Sequence, residues 1–243
     1  MPLTPAHAAA ALPLARALPR LPLAALVIGT MAPDFEYLLR LAPRGSFGHT
    51  LVGLLVFCLP IGLSAYGVYG RLVRPALLGL LPAGLATALA PRRSFGLGAV
   101  AVALLCGALS HVAWDGFTHE GGWAVKRWTV LRAPLLSEVP LYKLLQHGST
   151  VVGAAVVLAW IATWLRRQPS SALRYPPGEA TGSARIAIGL LAAAALAGVG
   201  NALRAVPARP AIVLGYAAVG VMSGLVAALV VYGAWARSRP TAD

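Results

Sequence analysis

Five apolar runs, at 51–69, 97–114, 150–165, 186–203 and 211–235, constrain this chain more than any other feature of it. Helices of such composition and length suit a hydrocarbon layer about 30 Å thick. A helix also satisfies its own backbone N–H and C=O groups where no water is present. Composition agrees: of 243 residues, 58% are hydrophobic and 11% charged, where soluble domains carry about 25% charged residues. Mean hydropathy is +0.75. The expected fold is all-α, a polytopic transmembrane helical bundle of about five spans with short interfacial or re-entrant helices. The expected location is the cell membrane, multi-pass, with membrane lipids as partners.

The net charge of +13 does not point to nucleic acid. The basic residues are scattered in short loops between apolar runs, where they anchor helices and meet anionic headgroups. With five crossings, the 20 Lys and Arg divide evenly between the two faces, with Arg92, Arg93 and Arg239 on the face opposite His111. The positive-inside rule therefore gives no orientation. Cys58 and Cys106 lie inside apolar runs and read as small packing residues. The N-terminus lacks the basic region of a signal peptide and is expected to be retained.

Residues 1–165 read as a membrane domain, with 1–50 interfacial or re-entrant and spans at 51–69, 97–114 and 150–165. Thr4 and Pro5 form a helix-start signal, Thr4 as cap and Pro5 at the first helical position. The apolar segment 23–32 is too short to cross alone. Pro60 predicts a kink in the first span, which Arg71 and Arg74 close. Residues 77–90 carry Pro82 and are expected to be interfacial. Residues 120–146 mix Trp and Tyr with cations, which is interface composition. A loop follows at 166–185, and 186–243 reads as a two-span hairpin and tail. Gly220 and Gly224 form a GxxxG pair, a weak packing signal.

The run at 97–114 ends in Ser110-His111-Val112-Ala113-Trp114-Asp115-Gly116-Phe117-Thr118-His119. If the helix continues to His119, then His111, Asp115 and His119 lie one above the next on one face. Two imidazoles and a carboxylate are metal-ligand types, or parts of an acid–base site. Two crossings separate His49 from His111, so both are expected at one face. The same count brings His7, Asp34, Asp115, His119 and His147 to that face. It also brings Glu36, Glu120 and Glu138, and leaves Glu179 and Asp243 opposite. Singly, each group has an ordinary explanation: Asp34 as a cap, His49 as an interfacial residue, His147 as a loop residue. Together they favour a site, because ionisable groups at a span are expensive. The expected ligands are His7, Asp34, His49, His111 and Asp115 around a divalent metal, zinc first. Asp34 and His119 are the candidate catalytic groups. Lys126, Arg127 and Arg132 are candidates to hold a phosphate.

Several motifs carry a family resemblance: Thr4-Pro5-Ala6-His7, Met31-Ala32-Pro33-Asp34-Phe35-Glu36-Tyr37, His49-Thr50-Leu51, His111 to His119, and Pro140 to Ser149. In this order they resemble the bacterial membrane proteins catalogued as the domain of unknown function numbered 4184. That resemblance implies a fold and no reaction. A looser one is to inner-membrane metal-dependent hydrolases related to zinc phospholipase C. It implies ligand roles for His111 and Asp115, with His7, Asp34 and His49 at the other ligand positions. Gly48 stands where such hydrolases often have a second His or basic residue.

Two functions fit. One is a metal-dependent hydrolase acting on a lipid-like phosphoester at one membrane face. The other is a non-enzymatic membrane protein whose His/Asp cluster is a structural polar network or a proton-linked site. A transporter fits less well, because transporter sites lie near the midplane.

Overall fold

The computed structural model of the chain describes residues 4–90, 94–136, 138–175 and 179–238. Arg92, Arg93, Arg239 and Asp243 lie outside the described residues, as do Pro176, Pro177 and Gly178 of the 166–185 loop. A 3-10 helix, Thr4–Ala10, leads into α1 (Ala11–Ala17). Then come α2 (Leu23–Met31), a 3-10 turn at Ala32–Asp34, and α3 (Phe35–Arg40). A second turn, Phe47–His49, precedes α4 (Leu51–Gly79). Next are α5 (Ala83–Leu89), α6 (Leu97–Thr118) and α7 (Trp123–Arg127). A two-stranded ribbon, β1 (Pro134–Leu136) and β2 (Val139–Pro140), feeds α8 (Leu141–Arg166). The chain closes with α9 (Glu179–Leu203) and α10 (Pro210–Ser238).

Among the described residues, five stretches are long and apolar enough to cross a membrane: α4, residues 97–127, α8, α9 and α10. The protein is a multi-pass membrane protein of the all-α class, with the short β1–β2 ribbon as its described strands. At seven residues, α5 is too short to cross. α4 does not stop at Arg71 and Arg74; it runs on to Gly79. It does so through two π-helical turns, Leu54–Cys58 and Tyr69–Val73. Each precedes a proline, Pro60 or Pro75. Proline lacks an N–H, and its ring crowds the carbonyl four residues back. Here those carbonyls belong to Val56 and Arg71, inside the widened turns. The Arg71 carbonyl accepts a 3.3 Å hydrogen bond from Arg237 Nη1.

By its contacts the chain forms two compact units, one of residues 1–35, 46–64 and 95–165, the other of 36–45, 65–94 and 166–243. Segments 36–45 and 65–94, which the sequence places within 1–165, thus pack with the C-terminal hairpin.

In the first unit, α2 is the central short element. Nine residues rise about 14 Å, so it cannot cross. It is enclosed instead: Ala25, Leu26 and Thr30 have no exposed surface. A Cβ at Gly29 would strike the Leu104 carbonyl of α6, and one at Gly107 would strike the Leu26 carbonyl of α2. Glycine at both positions lets the two backbones touch. Non-spanning backbone at membrane depth needs such enclosure. Thr50 caps α4, accepting from Gly53 N–H at 2.9 Å. Ala124, Val125, Leu131 and Tyr142 form a separate core with Phe117 against it. Trp123 and Trp128 remain about half exposed beside it, as interfacial aromatics do.

In the second unit, α9 and α10 pack as a hairpin through small residues. A Cβ at Gly220 would lie 2.6 Å from the Ala197 carbonyl, and one at Gly224 would lie 2.5 Å from Ala197 Cβ. The GxxxG pair therefore forms a helix contact. Asn201 donates to the Tyr216 carbonyl at 2.7 Å across the same contact.

Candidate functional site

α6 supplies the two groups around which the others gather. His111 and Asp115 are one turn apart, and His111 is fully buried. α6 ends at Thr118, so the helical stripe stops one residue short of His119. His119 has extended backbone angles, yet its N–H still bonds the Asp115 carbonyl at 3.1 Å. Its Nδ1 lies 3.3 Å from Asp115 Oδ1.

Three more residues arrive from the N-terminal 50. The 3-10 helix at Thr4–Ala10 places the His7 ring flat on that of His111, centroids 3.8 Å apart. His7 Nε2 is 3.8 Å from Asp115 Oδ1. The turn after α2 brings Asp34, and the turn before α4 brings His49. His49 Nε2 lies 3.5 Å from Asp34 Oδ1 and 3.4 Å from Asp115 Oδ2. His111 Nε2 lies 3.7 and 3.2 Å from the same two oxygens. Among the described residues, two sets of three could hold one ion, His7/His111/Asp115 and Asp34/His49/His111, with ligand atoms within 4.8 Å of one another in each.

A shell of hydrogen bonds orients these groups. The Thr30 carbonyl, in α2, lies 2.7 Å from His111 Nδ1. A carbonyl only accepts, so Nδ1 carries the proton and the lone pair of the neutral ring sits on Nε2. Thr4 Oγ1 donates to Asp34 Oδ2 at 2.6 Å, leaving Oδ1 toward the histidines. Gln146 of α8 donates its amide to His119 Nε2 at 3.2 Å. That puts the ring proton on Nδ1, the atom facing Asp115. Asp34 Oδ1, His111 Nε2 and Asp115 Oδ1 are buried without a hydrogen-bond partner. Buried polar atoms are rarely left so.

A family model described as a domain of unknown function matches residues 1–234. The chain belongs to the DUF4184 family. No curated protein and no solved structure matches it.

Within this DUF4184 fold the cluster sets its own charge. Burial holds His7 neutral, lowering its pKa to about 4, and the neighbouring His111 adds to this. Burial also opposes a charge on His49, but the Asp115 and Asp34 carboxylates, 3.4 and 3.5 Å away, outweigh it and raise the pKa to about 9. Burial would push the Asp34 carboxyl up; His49, His111 and Thr4 overcome it and hold it below the usual carboxylate range. At neutral pH the site thus keeps the Asp34 carboxylate beside protonated His49.

Of the residues singled out from sequence, His7, Asp34, His49, His111, Asp115 and His119 come together. His147 does not: it lies within α8 and is exposed. Lys126, Arg127 and Arg132 are exposed as well. Glu36 is bound by Arg40 one turn on, at 2.8 Å. Three orienting residues escaped the sequence reading. Thr4 was legible only as a helix cap, and its hydroxyl instead holds Asp34. Thr30 acts through its backbone, which leaves no side-chain signal. Gln146 sits beside the more conspicuous His147. Gly48 has a packing reason: a Cβ there would lie 2.7 Å from the Pro33 carbonyl, between Asp34 and His49.

Proposed function

We propose that the cluster is a divalent-metal site, zinc by its donor set, and that the protein is a metal-dependent hydrolase of a lipid-like phosphoester. One observation carries this reading: three inward-facing donor atoms, Asp34 Oδ1, His111 Nε2 and Asp115 Oδ1, are buried without hydrogen-bond partners. Imidazole nitrogen and carboxylate oxygen are donors zinc accepts. His7, His49, His111, Asp34 and Asp115 would hold the ion. When bound, it supplies Lewis acidity toward an oxygen of the substrate. His119 stands outside this set, three-tenths exposed, with its ring proton toward Asp115. It is placed to exchange a proton between the site and its surroundings. Thr4 and Thr30 hold Asp34 and His111 in the orientation the ion requires.

Purification in mild detergent without chelator, followed by elemental mass spectrometry and assay on phosphodiester lipids, tests both parts. About one or two equivalents of zinc, manganese or iron per chain is the expected content. Hydrolysis that stops on chelation and returns with the ion supports the reaction. No metal in a folded protein, even after reconstitution, overturns the reading.

Two further results follow. Thr4→Ala should weaken metal affinity about 10–100-fold in a chelator competition, because it frees Asp34 to turn away. Affinity should also rise with pH. His49 must lose its proton to bind a metal, and its pKa in the ion-free site is about 9. Binding therefore releases that proton at neutral pH, and affinity should gain about tenfold per pH unit up to pH 9. A flat profile from pH 6 to 9 counts against His49 as a ligand.

The second reading is a structural or proton-linked polar network. His49 favours it: as a cation between Asp34 and Asp115, it offsets carboxylate charge without a metal.

A further inference from the structure

A groove of about 390 Å³ runs beside the cluster and shares His7 with it. Its walls come from residues 6–13, from α6 and from α8. That volume falls in the range of about 300–1,000 Å³ typical of small-ligand sites. Its lining is mostly apolar, with Ala9, Ala10 and Pro13 on the N-terminal wall, Trp114 on α6, and Val152 and Val156 on α8. Two serines line it, and both turn their hydroxyls back to their own helix. Ser110 Oγ donates to the Gly107 carbonyl at 2.7 Å, and Ser149 Oγ to the Gln146 carbonyl at 3.1 Å. Apart from the Trp114 indole and the His7 imidazole, the groove therefore offers an occupant little hydrogen bonding along its length. Val152 and Val156 are 62% and 42% exposed on a helix long and apolar enough to cross a membrane, where acyl chains can reach them.

We propose that this groove takes one acyl chain of a membrane phospholipid and so brings its phosphoester to the His/Asp cluster. The proposal rests on the hydrolase reading above and names its substrate class. Three features select a chain over other occupants. The lining is apolar, its rim belongs to a membrane-spanning helix, and the groove abuts the cluster at His7, whose ring stacks on His111. His7 lines the groove and has its ring against His111, so this proposed ligand stands between tail and headgroup.

Photolabelling tests this on the full chain. The protein is placed in nanodiscs of phosphatidylethanolamine and phosphatidylglycerol, with a trace of phosphatidylglycerol carrying a diazirine near the end of one acyl chain. Adducts are mapped by peptide mass spectrometry. Labelling of residues 6–13 and 149–156 should exceed that of the lipid-facing residues Leu51 and Val52 by about fivefold or more. Val152→Trp fills the groove from an exposed position and should remove most of that excess. Val151→Trp, exposed but outside the lining, should leave it. Equal labelling of groove and open surface, or labelling unmoved by Val152→Trp, overturns the proposal. So does a dimer that Val152→Trp disperses while the groove stays unlabelled, which assigns the groove to a second copy. Metal content is measured on the same samples. Metal present without groove labelling sinks the acyl site alone; groove labelling without metal sinks the hydrolase reading alone.

Discussion

Asp115→Ala is expected to abolish the metal binding proposed for the cluster in a protein that still folds. Asp115 is the group the cluster shares: Oδ1 faces His7 and His119, and Oδ2 faces His49 and His111. No other residue of the cluster stands within 4 Å of all four histidines. Its loss should weaken metal binding by more than the about 10–100-fold that an outer-shell loss costs. Content should fall from about one equivalent to under about a tenth. The structural-network reading gives the opposite result. There the carboxylate offsets protonated His49, and removing it leaves a buried cation with one partner fewer, which costs about 3–5 kcal/mol. The variant would then express poorly or unfold early, and no metal would be present in either protein. Asp115→Asn separates the two if the alanine variant is too unstable to purify. It keeps the volume of the side chain and removes the charge. A folded Asp115→Asn protein that retains its full metal content overturns the assignment of Asp115 as a ligand.

The α6 half of the site was legible because it is local. His111 and Asp115 fall at helical spacing at the end of an apolar run, and no tertiary knowledge is needed to see them on one face. The five spans were legible for the same reason. The other half depends on pairings between distant segments. That His7 stacks on His111 follows from how α2 seats on α6, and that seat is made by Gly29 and Gly107. Two glycines in a chain with 26 carry no distinguishing mark. The crossing count brought His147 to the same face as His111. It could not show that helix α8 begins at Leu141 and turns Gln146, not His147, toward His119. Nor could it show that residues 36–45 and 65–90 pack with the C-terminal hairpin, because that grouping rests on contacts such as Arg237 to the Arg71 carbonyl, 166 residues apart.

The α2–α6 seat carries the largest expected effect on the fold. Gly107→Leu should prevent α2 from docking. A single Cβ at 107 already overlaps the Leu26 carbonyl and lies 2.6 Å from the Thr30 nitrogen. These are backbone atoms of a buried helix, and no rotamer change relieves them. Overpacking a tight core costs about 1–3 kcal/mol and more where backbone must move. The site should fail together with the seat, since the same displacement carries the Thr30 carbonyl away from His111 Nδ1. The expected result is a loss of thermal stability in detergent with loss of metal. Gly98→Leu is the control: it also lies in α6, and a Cβ there meets nothing within 4 Å. It should leave both properties near wild type. If Gly107→Leu keeps full metal content and stability, α2 is not the element that positions His111. The buried N-terminal segment would then have some other reason to be enclosed. If stability falls while metal is retained in the fraction that folds, the seat supports the bundle and the Thr30 contact does not tune the site. Thr30→Ala would not report on that contact, because the accepting atom belongs to the backbone. The glycine is therefore the position through which α2 and the His111 proton can be tested together.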